Sequence, residues 1–146
     1  MQMQNAHITR IIKLATNGEP RLALCPVVNE SGNTLLVRRR SNSNGLFGLV
    51  SANLRPDEQP ARTLGRALRL ITDAPLGSID AYVGSYVEVD RQNRALAFMV
   101  SLRSSRITIR PSYEFTWLNR TNVDDVIVDA RFLPILHSCW RIDSAA

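Results

Sequence analysis

Apolar residues recur along the chain with two different periods, and the period decides the element. Residues 58–73 place Ala61, Leu64, Leu68 and Ile71 three or four apart, the spacing of one helix face. Pro56 and Asp57 break the chain before this stretch, and Pro75 and Gly77 forbid its continuation, so a helix is expected there. Elsewhere the alternation is that of strands. Leu22 to Val28 and Thr34 to Arg40, joined by Asn29-Glu30-Ser31-Gly32-Asn33, predict a hairpin. A second hairpin is predicted over 81–89 and 95–103. In its first strand Val83, Val87 and Val89 share a face, and in its second Leu96, Phe98, Val100 and Leu102 alternate. Asp90-Arg91-Gln92-Asn93-Arg94 forms the polar connector.

Shorter segments complete the pattern. Leu46 to Leu54 reads as a strand after the polar run 41–45, Tyr113 to Leu118 as another, and 128–140 as a closing helix with its start or kink at Pro134. Residues 7–16 carry Ile8, Ile11, Ile12 and Ala15 at helical spacing, but their β-branched content favours a strand. The strand is preferred, so residues 1–18 are expected to add a strand or arm, ending in the turn Asn17-Gly18-Glu19-Pro20. The fold class that follows is α+β, layered α/β/α, a mixed and largely antiparallel sheet carrying helices within one domain over 1–146.

Composition narrows the function classes. With 45% hydrophobic and 21% charged residues in 146 positions, the chain has enough apolar content for a core and lacks the signature of disorder. The net charge of +5 is almost wholly arginine, because Lys13 is the only lysine. Arginine forks suit phosphate and carboxylate, which keeps an anionic ligand in view. The arginines are spread along the chain without a nucleic-acid-binding motif, so nucleic acid is the minor reading. Cys25 and Cys139 form no CxxC pair and His7 and His137 are far apart, which argues against zinc and for two small buried hydrophobes. No leader-like start and no membrane-length apolar run is read, so a cytoplasmic protein is expected.

Phe47-Gly48-Leu49-Val50-Ser51-Ala52-Asn53-Leu54 resembles the strand and loop that open the Nudix box, and the resemblance continues without a gap. Setting the first box glycine at Ala52 puts the first box glutamate on Glu58, the arginine on Arg66 and an apolar position on Leu68. Leu35 to Arg40 is similar to the family's apolar strand ending in arginine, and Glu114-Phe115-Thr116-Trp117-Leu118 to its aromatic-rich strand before a final helix. The resemblance implies a Nudix-like fold with a box helix and a C-terminal helix. Its departures bear on activity: the family's metal-holding glutamates fall on Ala67, Leu70 and Ile71, and its glycines on Ala52 and Asp73.

Such enzymes hold Mg²⁺ or Mn²⁺ on box carboxylates against a diphosphate. Alkyl side chains at 67, 70 and 71 supply no oxygen, so no catalytic residue, metal ligand or cofactor is assigned. Mg²⁺ returns only if acids elsewhere, such as Glu58, Glu88, Asp90 or Glu114, restore hydrolysis of nucleoside diphosphate derivatives. The leading expectation is an inactive Nudix-like domain binding a nucleotide-type ligand or a protein partner. The other readings are that relocated hydrolase, and a structural homodimeric adaptor using the 67–74 patch or a sheet edge. Arg38, Arg40, Phe47, Glu58 and Arg66 are the candidate ligand contacts, in a cleft between 50–58 and 38–40.

Each candidate also has a plain structural reading. Positions 67, 70, 71 and 74 share a helix face that a rearranged loop can bury. Glu58 beside Asp57 suits the first turn of a helix, and Arg66 can pair with Glu58. Arg38 and Arg40 can end a strand in solvent, while Phe47, Tyr82 and Trp117 can belong to the core.

Overall fold

The computed structural model describes residues 2–16, 21–88, 93–104 and 106–145. The expected turn at 17–20 and most of the 90–94 connector, with Val89 and Asp90, lie outside them.

Strand β1 (Leu22–Glu30) is apolar at nearly every position because it is buried on both faces. Ala23, Cys25 and Val27 enter one apolar cluster, and Leu22, Leu24 and Val28 enter the other. On one side β1 pairs in parallel with β5 (Arg94–Leu102), from Leu22↔Arg94 to Val28↔Val100. On the other side it meets the two-residue strand β3 (Ala52–Asn53) near its start and β2 (Asn33–Arg39) near its end. Pro26 falls between these two short pairings, a place that tolerates a residue without an amide hydrogen. The β1–β2 turn is made by Ser31 and Gly32, both at positive φ (51° and 81°), and the strands then diverge. β2 goes on to pair with β6 (Tyr113–Leu118), and β4 (Leu76–Val87) closes the other edge against β5. The order is β4-β5-β1-β2-β6.

Helices cover both faces of this sheet. α1 (Asn5–Ala15) and α2 (Pro60–Arg69) contribute Ile8, Leu64 and Leu68 to the cluster that holds Leu24, Leu96 and Phe98. α3 (Leu133–Ala145) brings Ile135, Leu136, Cys139 and Trp140 to the opposite cluster with Cys25, Val83, Tyr86 and Phe132. The expected α+β layered class, the antiparallel pairing of 81–89 with 95–103 and the 113–118 strand are all present.

Several expectations are corrected. Residues 7–16 lie in a helix, not a strand: the stripe of Ile8, Ile11, Ile12 and Ala15 packs on the α2 side of the sheet, and that tertiary burial outweighs β-branching. The 46–54 strand shrinks to β3 and two single bridges, Val37↔Gly48 and Phe47↔Val128. The box helix is shorter than 58–73, starting at Pro60 in the first-turn position that suits proline and ending at Arg69. Val87 does not share a face with Val83. A register shift between Tyr82 and Gly84, where Gly84 has φ 135°, advances the pleat, so Tyr86 turns inward and Val87 is exposed.

Gly48 exchanges both backbone hydrogen bonds with Val37 (2.9 Å each), and a Cβ added there would stand 2.6 Å from Phe132 Cε2. Phe132 is buried and held edge-on by Tyr86, with ring centroids 4.8 Å apart, so it has little room to yield. Gly48→Ala should therefore lower stability by about 1–3 kcal/mol, as overpacking does. Urea unfolding checks this, and an unchanged midpoint would show that Phe132 moves freely.

Candidate ligand-binding site at the box loop

The loop leading into α2 is organised by one carboxylate. Glu58 Oε1 accepts from Arg66 Nη2 (2.6 Å), Thr63 Oγ1 (2.8 Å) and the Arg55 backbone N–H (3.2 Å), while Oε2 accepts from Arg66 Nε (2.8 Å). Arg66 also donates to the Asn53 carbonyl, so the ion pair ties β3, the loop and the helix together. Asp57, at φ 61°, lets the chain turn back from Arg55 to Glu58. The first-turn role expected for Glu58 is not found, because Gln59 is the N-cap and the first turn has no acid. Pairing with Arg66 is found instead. The Arg66 guanidinium is the main cause that lowers the Glu58 carboxyl to about 2, helped by the Thr63 hydroxyl and the Arg55 amide.

At Ala67, Leu70 and Ile71, where the resemblance would set metal-holding glutamates, the side chains are hydrocarbon. Ala67 and Ile71 are buried, while Leu70 is about half exposed, so the single patch expected at 67, 70, 71 and 74 is divided. The connector between β5 and β6 lies over the end of the box helix. Thr72 Oγ1 donates to Thr108 O (2.9 Å), Arg110 N to Ile71 O (2.8 Å) and Arg110 Nε to Arg69 O (2.7 Å). Arg110 also pairs with Asp73 at 2.7 Å. Among the described residues no group of three or more His, Cys, Asp or Glu side chains gathers for an ion. Since Mg²⁺ requires a shell of oxygen ligands, these side chains do not fit it.

Of the acids considered elsewhere, Glu114 and Glu88 have their own partners. Glu114 Oε2 takes two bonds from Arg38 (2.9 and 3.2 Å), and Glu88 Oε2 accepts from Ser51 Oγ (2.8 Å). Beside them Tyr86 is bonded to Cys25 and Ser51, and burial drives its phenol far above the usual range. Burial likewise pushes the Cys25 thiol up to about 12, so Cys25 is an inert core residue, as its apolar run implied.

A cleft of about 560 Å³ opens where the C-terminal end of α1 and the start of β1 face the box loop. Arg21, Arg55, Asn53, Leu54, Asp57 and Thr16 line it, with Glu58 at its back. Of the sequence candidates only Glu58 lines this cleft, and Arg66 reaches it through Glu58 and Asn53. Arg38, Arg40 and Phe47 do not line it. Arg38 lies 4.3 Å over the Phe47 ring and donates to Gly45 O (3.1 Å), and Arg40 donates to Pro111 O and Tyr113 O (2.9 and 3.3 Å). Arg21 and Arg55 were missed by sequence reasoning. They are 34 residues apart by number, and meet only because Leu54 N donates to Leu22 O (2.9 Å) beside the β1–β3 pairing.

Glu58 has a lowered pKa in the folded chain, so its contribution is complete above the unfolded value of 4.5 and lost as pH falls toward about 2. Glu58→Gln should cost about 1–3 kcal/mol at pH 7. The gap in urea midpoint between parent and variant should close between pH 4.5 and 2, and a gap independent of pH would remove the ion pair as its cause.

No family profile matches the sequence, and no curated protein matches it. Solved structures do. The MutT protein of Methanosarcina mazei superposes with a TM-score of 0.61 at 16% identity, over 86% of this chain and 95% of that one. A Nudix hydrolase of Nitrosomonas europaea gives 0.62 at 13% identity over 86% and 70%. An ADP-ribose pyrophosphatase of Streptococcus suis gives 0.61 at 12% identity over 84% and 91%. At such low identity the likeness speaks to architecture: the chain has the fold of the Nudix hydrolases.

Proposed function

We propose that this chain is a catalytically silent Nudix-like domain that binds an anionic, nucleotide-type ligand in the cleft beside the box loop. The observation that carries this reading is the state of the box itself. Ala67, Leu70 and Ile71 offer no oxygen, and the surviving Glu58 has its oxygens engaged by Arg66, Thr63 and Arg55. Loss of a metal's charge stabilisation removes several kcal/mol of catalysis, and each 1.4 kcal/mol is about tenfold in rate. The cleft remains. Its volume lies within the ~300–1,000 Å³ of small-molecule sites. Arg21 and Arg55 offer forked donors for phosphate oxygens, and Leu54 and Leu22 an apolar wall.

A second reading has one observation in its favour. Glu88 stands against Ser51 in the box loop, so a relocated acid is within reach of the same region. It supports the active-hydrolase alternative, with Mg²⁺ as its cofactor, and turnover separates the two.

Calorimetry with ADP, ADP-ribose and nucleotide sugars should show saturable binding, with ADP-ribose a natural probe because a protein of the same fold acts as an ADP-ribose pyrophosphatase. Arg21→Gln and Arg55→Gln should each weaken it about tenfold, while Arg38→Gln should act much less. With millimolar Mg²⁺ or Mn²⁺ these compounds should not be turned over above background. Metal-dependent release of a nucleoside monophosphate, abolished by Glu88→Gln, would replace this reading with the hydrolase. Absence of saturable binding would leave a protein partner as the surviving expectation.

A further inference from the structure

The solvent face of α2 is a row of arginines. At about 100° per residue, Arg62, Arg66 and Arg69 fall within a ~60° arc directed away from Leu64, Ala67 and Leu68. Arg66 leans toward the cleft, where Glu58 holds it. On the other side of the row lies a separate groove of about 400 Å³, lined by Arg62, Arg69, Gly65, Asp73, Pro75 and Leu76. Gly65 lines it without a side chain, and Arg69 Nη1 lies 3.8 Å from where a Gly65 Cβ would be.

The groove is strongly basic. Among the described residues, neither Arg62 nor Arg69 has a side-chain hydrogen bond or an acidic partner, and Asp73, the one acid lining the groove, is paired with Arg110. The backbone of Arg103, an exposed residue, is tied to the groove's edge, its N–H donating to Pro75 O (3.0 Å). Asp80, the nearby acid on β4, is engaged by the Ser78 and Ser101 hydroxyls. No aromatic ring lines the groove. Its floor of Ala61, Ala74, Pro75 and Leu76 has no side-chain donor or acceptor with which to read a base.

We propose that this arginine row and groove bind the phosphodiester backbone of single-stranded nucleic acid without regard to sequence. Arg62 and Arg69 are about two helical turns apart, a rise of about 10.5 Å, which is too long for one phosphate and lets each guanidinium meet a separate phosphate of one strand. Guanidinium forks grip phosphate oxygens in pairs, and a partner read only through its repeated charge needs no pocket for bases. The groove between Arg62 and Arg69 is distinct from the cleft, which Arg66 alone of the row reaches, and does not depend on what the cleft holds.

The test is fluorescence anisotropy of a labelled twelve-nucleotide oligouridylate across a salt series, using the full chain. With one phosphate neutralised by each of Arg62 and Arg69, log K should fall with log salt at a slope near about −1.4, since each contact contributes ~0.7 on single strands. Arg62→Gln with Arg69→Gln should weaken binding at least tenfold at low salt and flatten the slope toward zero. Gly65→Glu puts a carboxylate in the trough without a folding penalty, since glycine is a poor helix former, and should weaken binding comparably. Arg141→Gln on α3, across the sheet, should leave binding within about twofold. The proposal is overturned if the oligomer does not bind, or if the Arg62, Arg69 and Gly65 variants bind like the parent. Displacement by tripolyphosphate at equal charge would overturn it in favour of a small-anion site, and displacement by polyglutamate in favour of an acidic peptide.

Discussion

Everything in this fold depends on β1 being buried from both sides. Its residues feed two separate apolar clusters, so α3 on one face and the α1–α2 pair on the other both pack against this one strand. A strand in that position has no solvent face, which is why its sequence is a continuous apolar run rather than an alternating one. Its partners also divide it. The parallel ladder to β5 runs along its length, while β3 and β2 take only its ends. The Asn53 end of β3 carries the loop in which Glu58 gathers Arg66, Thr63 and the Arg55 amide. The cleft follows from that anchoring, since Arg21 precedes β1 and Arg55 follows β3.

Much of the fold was legible because these elements obey simple periods. The 3.6-residue spacing of Leu64, Leu68 and Ile71 identified α2, and the pattern from Leu96 to Leu102 identified β5. Two failures have definite causes. Residues 7–16 satisfied helical spacing and strand propensity together, and a pattern read in isolation cannot weigh the sheet surface that Ile8 buries. Val87 was misplaced because a bulge adds a residue and reverses the alternation after Gly84. The site was legible where it is local. Glu58 and Arg66, eight residues apart around the start of one helix, could be paired from sequence, whereas Arg21 and Arg55 are joined only by strand pairing.

Where the resemblance would set a carboxylate cluster, Ala67, Leu70 and Ile71 carry different costs. Clustered acids repel each other unless a cation holds them, and burying them would be expensive. Alkyl groups carry no such demand, and the covering connector is secured by hydrogen bonds from Thr72 and Arg110. Arg110 donates to the carbonyls of Arg69 and Ile71, acceptors that a helix end otherwise leaves open. The end of the box helix is therefore tied to the β5–β6 connector by backbone and side-chain hydrogen bonds.

The register shifts along β4 carry a different consequence. β4 spans twelve residues at the rim of the sheet, with β5 on one side and no strand on the other among the described residues. A flat strand of that length would be a template for unwanted pairing between molecules. Irregularities at Leu76/Ser78, Ile79/Ala81 and Tyr82/Gly84 interrupt the ladder before a regular run of outward amides can accumulate. A foreign strand would find matching hydrogen bonds for only a few residues at a time, so the rim resists fibril-like stacking even where Tyr82 and Val87 are exposed.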